Sequence, residues 1–344
     1  MTAPALQRPP YSLLVTSPTQ KPTQTSLRIL VTGATGYVGS RLIPSLVEEG
    51  HTVLAASRSQ SGTDDYPWDV EVETRELDID DDEQVKRAVE GVDVVIYLVH
   101  SMGSKDFARR DRDAAERMAA ACERAGVARI VYLSGLVPDG ELSEHLQSRL
   151  EVEQVLLASR VPTLVLRASM IIGAGSTSYE LLRRLSERVP RITPVPAWMR
   201  SRIQPVAIED VVHLIVRALR ADPLDGHFDV GGDDVVTYPE LLALFADIAG
   251  LRRTQVLVPG LPRWLVGRGC ALIAQMPRTE VNNLIESLRH DLVCRDRSVR
   301  DKLLEPGYAY LSVAEALRRA MDTRGAAGTT HAGDVQGAAP TDPA

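Results

Sequence analysis

An apolar strand that runs straight into three glycines at three-residue spacing, and then into an amphipathic helix, leaves few folds open to a chain. Residues 27–58, LRILVTGATGYVGSRLIPSLVEEGHTVLAASR, have that layout. Leu27–Val31 supply a short β-branched run suited to a central parallel strand, and Thr32 leads into Gly33, Thr35, Gly36, Tyr37, Val38 and Gly39. Each glycine has its own task. Gly33 permits the tight turn off the strand, Gly36 lets backbone approach a pyrophosphate, and Gly39 lets the helix pack closely on the sheet. The helix start then offers unpaired N–H groups and a positive dipole end to phosphates. Val38, Leu42, Leu46 and Val47 form the apolar stripe of that helix, and HTVLAAS after Gly50 reads as the second strand. The unit is a dinucleotide-binding βαβ start.

Alternating strands and helices continue through the first two thirds, which predicts an α/β fold: a doubly wound parallel sheet of Rossmann type with helices on both faces. Strands are expected at Arg28–Val31, Thr52–Ala56, Val70–Glu73, Val94–Leu98, Arg129–Leu133 and Thr163–Arg167, and helices at Asp81–Val89, Phe107–Ala125 and Ser148–Ser159. Gly126 should stop the second of these helices. After Arg167 the pattern loosens into RASMIIGAGSTSYE, a helix to Val189, a Pro-studded connector, a helix from about Ile208 to Leu219, the strand HFDVGG and a helix at Tyr238–Ile248. The domain reading is a disordered leader at 1–26, a nucleotide-binding domain at 27–170, a smaller substrate lobe and cap at 171–323 interleaved with it, and a disordered tail at 324–344.

The 344 residues are 44% apolar and carry a net charge of −7, with no Lys/Arg block, which argues against a nucleic-acid partner. Three widely spaced cysteines, Cys122, Cys270 and Cys294, suggest neither a disulfide framework nor a metal site, and fit a reducing cytoplasm. The seven histidines are scattered without metal-ligand spacing. No stretch approaches the ~18 apolar residues of a transmembrane span. The segment 259–277, PGLPRWLVGRGCALIAQMP, has the makeup of an interfacial helix, or else packs on the substrate lobe or another subunit. A homo-oligomer stays open.

Several blocks together resemble the extended and atypical short-chain dehydrogenase/reductase superfamily over roughly residues 27–245. They are the glycine turn, ELDI with Asp78, YLVHSM, YLSGL, HLQSRLEVE, RASMIIGAGSTSYE, QPVAIEDV and FDVGG. The combination looks most like the NAD(P)H-binding NmrA-like group related to the NDUFA-type accessory subunits of respiratory complex I. Cofactor choice follows from charge: the second strand ends in Ala55, Ala56, Ser57 and Arg58 with no acid to hold a ribose 2′-hydroxyl, so NADP(H) is favoured over NAD(H). The alternative is a solvated arginine. By resemblance Asp78 lies near the adenine, although DIDDDE equally suits a helix cap.

The resemblance implies a catalytic serine, tyrosine and lysine. Ser134 matches the serine, while His145 stands at the tyrosine's position and Arg149 at the lysine's. An imidazole near its ordinary pKa of ~6.5 is able to give a proton unaided, and Arg149 to hold ribose hydroxyls. A capping histidine is the alternative. Leu98, Val99, His100 and Ser101 end the fourth strand at the edge facing the ligand crevice. Arg167 either anchors a crevice loop or forms a structural ion pair, and Ser176, Thr177, Tyr179, Trp198 and Gln204 are candidate pocket residues. The expected function is an NADP(H)-binding oxidoreductase acting on a small apolar or quinone-like substrate. A non-catalytic NADP(H)-binding regulator or assembly factor is the alternative.

Overall fold

A computed structural model describes residues 26–66, 68, 72–100, 106–189 and 191–322. Residues 1–25 of the expected leader, the expected tail, Ser101 and the first two residues of the expected third strand lie outside the described residues.

The chain opens with β1 (Arg28–Thr32), α1 (Tyr37–Glu48), β2 (Thr52–Ser57), β3 (Glu73–Glu76), α2 (Asp82–Ala88), β4 (Val94–Tyr97), α3 (Phe107–Ala125), β5 (Arg129–Gly135), α4 (Glu144–Leu157) and β6 (Thr163–Ala168). It continues with β7 (Ile171–Ile172), α5 (Thr177–Arg188), β8 (Ile192–Pro196), β9 (Arg202–Ile203), β10 (Val206–Ala207), α6 (Ile208–Arg220), β11 (Gly226–Val230), β12 (Val236–Thr237) and α7 (Tyr238–Ile248). The last elements are β13 (Thr254–Val258), α8 (Arg263–Ala274), α9 (Arg278–Ser287), α10 (Ser298–Leu303) and α11 (Val313–Asp322).

Seven strands form one parallel sheet in the order β3-β2-β1-β4-β5-β6-β11. The strand order reverses between β1 and β4, and the carboxyl ends of those strands open the crevice where doubly wound sheets bind ligands. Successive residues of β1 feed opposite faces: Ile29 and Val31 enter a core with α1 and α6, while Leu30 enters one with α2, α3 and α4. All three are fully buried, each worth about 1.5–3 kcal/mol by burial. Gly126 closes α3 in the left-handed region, as its sequence position predicts.

Two boundaries differ from the sequence reading. The third strand falls at Glu73–Glu76 rather than Val70–Glu73, because ETRE is a charged sheet edge held by pairing with β2 alone and carries no apolar alternation. The helix expected from Ser148 begins at Glu144, where the Ser143 hydroxyl caps it by accepting from Leu146 N at 3.3 Å. His145 therefore sits in the first turn of α4.

Candidate functional site

At the switch point the Thr32 hydroxyl stitches the two strand ends, accepting from Leu98 N at 3.1 Å and donating to Ile96 O at 3.3 Å. Gly33 turns the chain at φ +69°, a conformation closed to most L-residues. A Cβ on Gly39 would lie 2.3 Å from Gly33 O and 2.9 Å from Ala34 Cα, so helix α1 meets the turn with no room for a side chain there. The first turn of α1 holds no acidic residue, and its open N–H groups face the crevice side of the turn.

Three side chains brace this turn without any signal in the local motif. Tyr66 donates its hydroxyl to Thr35 O at 2.7 Å and stacks on Trp68, whose indole donates to Ser40 O at 3.1 Å. Arg41 is buried; its guanidinium donates to Tyr37 O and, 133 residues onward, to Ala174 O at 2.8 Å. It ties the start of α1 to the GAGS loop.

A cavity of about 660 Å³ runs from the glycine turn to helices α5 and α9. Gly33, Thr35, Gly36, Tyr37, Val38 and Gly39 line one end, with Leu98 and His100 from the end of β4. Ser134, His145 and Arg149 line the middle, and Ser176 and Thr177 border it at the start of α5. Sequence reasoning missed the far wall: Glu280, Asn283, Leu284 and Ser287 of α9, with Leu288 directly after it. Ser57, Arg58, Asp78 and Val99 lie outside the cavity. Arg58 follows β2 on the surface and makes no hydrogen bond or ion pair among the described residues, while Asp78 accepts from Asp80 N at 3.0 Å. The capping role belongs to Asp81, which accepts from Glu83 N and Gln84 N.

The electrostatics of the centre are set by Arg149. Its guanidinium donates to Leu133 O at 3.2 Å and to the Tyr132 hydroxyl at 3.5 Å, while its buried Nε has no partner. His145 lies one helical turn before it on the same face. Desolvation, followed by the Arg149 charge, pushes the His145 imidazole down to about 4. The sequence reading started from an ordinary imidazole; in the fold it is neutral at pH 7, a proton acceptor rather than a ready donor. His100 borders the open crevice and is exposed, yet its imidazole is also pushed down, by desolvation among the crevice walls and by the charges of Arg149 and His145. Ser134 is 4% exposed and its hydroxyl oxygen has no partner among the described residues. Ser134 borders the cavity together with His145 and Arg149.

Other sequence candidates fall elsewhere. Tyr179 is fully buried in the core of the second lobe. Gln204 is buried and structural, donating to Gly232 O at 2.6 Å and accepting from Cys294 N at 2.9 Å. Trp198 borders a separate surface groove with Arg263 and Trp264 and donates to Leu261 O. Arg167 forms the structural ion pair, a two-pronged contact with buried Glu153 at 2.5 and 2.9 Å. Among the described residues no group of three or more His, Cys, Asp or Glu side chains is placed to hold a metal, and no helix is long and apolar enough to cross a membrane.

Residues 33–193 match the NAD(P)H-binding family. That segment is an NAD(P)H-binding domain. The chain is 27% identical to a ceramide reductase of Caulobacter vibrioides over 237 residues, 67% of this chain and 73% of that protein. It is 32% identical over 190 residues to a 2-alkyl-3-oxoalkanoate reductase of Stenotrophomonas maltophilia, covering 47% of this chain and only 56% of that reductase. The Bordetella bronchiseptica enzyme WbmG, solved in complex with NAD, shares the fold at TM-score 0.68 and 17% identity, covering 89% of this chain and 96% of WbmG. The Rossmann-type parallel sheet is the fold that this chain shares with WbmG.

Proposed function

We propose that the protein is an NADP(H)-dependent reductase of an apolar carbonyl compound. The observation that carries this reading is the unpartnered, buried Ser134 hydroxyl on the same cavity wall as His145 and Arg149, in a cavity that begins at the glycine turn. The residues fit a dinucleotide: a Gly39 position with no space for a Cβ, an α1 start without acid, and Arg58 unpaired at the end of β2. When bound, the nicotinamide supplies or accepts a hydride at the substrate carbon. Gly33–Gly39 and the α1 N-terminus would hold the pyrophosphate, Arg58 and Ser57 the 2′-phosphate, and Arg149 the ribose beside the nicotinamide. Ser134 donates a hydrogen bond to the substrate oxygen and His145 exchanges the proton at that oxygen. Leu136, Met170, Ile171, Leu284 and Leu288 give the remainder of the cavity an apolar wall suited to a hydrocarbon chain. The reductase names of two relatives favour the same class.

The titration of His145 sets the pH dependence. With its pKa near 4, the imidazole is a proton acceptor through neutral pH, serving alcohol oxidation directly. Carbonyl reduction needs the imidazolium, so its rate should rise about tenfold per pH unit as pH falls from 7 toward 5, where only the protonated fraction changes. His145→Ala should flatten that slope, and Ser134→Ala should lower kcat/KM by roughly 10²-fold, the usual worth of one oxyanion donor. Stopped-time assays of NADPH consumption with long-chain 3-oxo compounds check both. Turnover unchanged by Ser134→Ala would remove Ser134 from the reaction; the outcome against the proposal as a whole is tight NADPH binding with no turnover of such carbonyls.

That outcome would favour the second reading, a non-catalytic NADP(H)-binding regulator. One observation supports it: Arg149, at the lysine position, spends its Nη1 on Leu133 O and the Tyr132 hydroxyl.

Cofactor choice has its own test. Arg58→Ala should weaken NADPH binding by about 10- to 100-fold, the ~1.5–3 kcal/mol of a hydrogen bond to a charged group, while NADH changes less than about twofold. Calorimetric titration of both nucleotides reads the difference. Equal losses for the two would remove Arg58 from the 2′-phosphate site.

A further inference from the structure

Helix α8 is built inside out for a helix facing water. Its inward face is Gly267, Ala271 and Ala274, all buried, and a Cβ on Gly267 would lie 2.3 Å from Asn282 Oδ1 of α9. Its outward face carries the large apolar side chains: Leu272 is 80% exposed, Trp264 61% and Leu265 47%. At 100° per residue, Leu265, Arg268 and Leu272 form the centre of that outward face, with Trp264 and Ile273 on its flanks. Val256 and Leu257 on β13 are exposed as well. Of eight large apolar side chains exposed among the described residues, six lie within positions 256–273. A soluble surface scatters such residues singly.

The charge of the same segment points to what covers it. Residues 251–278 contain five arginines and no acidic residue, in a chain whose net charge is −7; Arg253 donates to Ser186 O and Arg263 pairs with Glu286, which leaves Arg252, Arg268 and Arg278 without an ion pair among the described residues. The Arg268 guanidinium lies over the Trp264 ring at 5.3 Å, an amphipathic pair suited to the level of lipid headgroups. A second copy seated symmetrically by the same face would set these arginines against one another, whereas an anionic bilayer supplies both an apolar layer for Leu265 and Leu272 and phosphates for the guanidiniums. The inward face of α8 packs on α9, and α9 is the far wall of the cavity.

We propose that α8 and the β13 edge form a docking face for an anionic lipid bilayer, seating the protein with the α9 wall of its cavity next to the lipid. This rests on the exposed face and its charge, and stands whether or not the protein turns over a substrate.

The test is flotation of the full chain with vesicles of phosphatidylcholine alone or with 30% phosphatidylglycerol added. The wild type should float with the anionic vesicles and stay down with the neutral ones, and the bound fraction should fall as salt rises. Trp264→Ser/Leu272→Ser should lower the bound fraction at least about tenfold, since each buried CH₂ contributes about 0.8 kcal/mol at an interface. Both side chains are solvent-exposed, so the variant should keep the wild-type melting temperature and NADPH affinity; those two measurements separate loss of docking from loss of fold or of the nucleotide site. Two results would overturn the proposal. One is a wild type that fails to float with anionic vesicles. The other is equal flotation of wild type and variant. Should the non-floating wild type elute as a dimer that the variant converts to monomer, the face is a self-interface instead.

Discussion

Gly39→Ala is expected to weaken dinucleotide binding by roughly 100-fold or more, equivalent to ~2.7 kcal/mol, and to destabilise the fold by about 1–3 kcal/mol. The added methyl would sit 2.3 Å from Gly33 O and 2.9 Å from both Ala34 Cα and Ala34 O. All three are backbone atoms, so no rotamer change relieves the clash; either α1 backs away from the turn or the turn itself opens. Either movement carries the N–H groups at the start of α1 away from where they converge on a phosphate. Gly269→Ala is the control, because its Cβ would meet nothing within 4 Å and φ there is not positive. It should leave nucleotide affinity unchanged and, as a helical glycine replaced by alanine, raise stability by about 0.5–1 kcal/mol. Titration calorimetry and thermal melts of the two variants give the comparison. Gly39→Ala with wild-type affinity would mean that the nucleotide does not approach α1 at all.

The glycine turn was legible because everything it needs is local: a strand, three glycines and a helix within twenty-one residues, Arg28 to Glu48. The middle of the site was legible through the resemblance, since Ser134, His145 and Arg149 come from the end of β5 and the start of α4, elements adjacent in the chain. What the local pattern could not carry was contact across long separations. Arg41 reads as an ordinary polar residue on an amphipathic helix, and only the fold shows it buried against Ala174 O. Tyr66 and Trp68 lie in an irregular stretch with no period, and their partners Thr35 O and Ser40 O are backbone atoms, invisible to side-chain patterning. The α9 wall comes from more than a hundred residues beyond Arg149, and nothing in RTEVNNLIES names the helix as part of a pocket.

Electrostatic environment was the second thing hidden in the sequence. His145 and Arg149 are visible as a pair four residues apart, and the pairing invites a reading in which the histidine titrates near neutrality. Placing them in one desolvated turn gives the opposite result, because burial disfavours the imidazolium and the permanently charged guanidinium beside it adds to the effect. The consequence is the acid-side activation of carbonyl reduction derived above.

The largest stability effect is expected at Arg167, whose sequence position at the end of β6 allowed either a crevice role or an ion pair. Its guanidinium holds Glu153, which is 2% exposed, through two parallel hydrogen bonds, and the nearest other cationic candidate is His227 at 3.7 Å. Arg167→Met would strand a buried carboxylate, a loss of about 3–5 kcal/mol, large against the 5–15 kcal/mol that ordinarily holds a domain folded. Arg167→Met/Glu153→Leu should recover most of it, because removing both charges restores an apolar contact between β6 and α4 without the desolvation penalty. Urea unfolding reads the effect as a shift of the midpoint at constant slope. The same samples decide the role of Arg167 in the crevice: it does not line the cavity, so the folded double variant should bind NADPH as the wild type does. A double variant that is stable but has lost nucleotide affinity would instead assign Arg167 to holding the loop that follows it, Ala168–Ile171, against the bound cofactor.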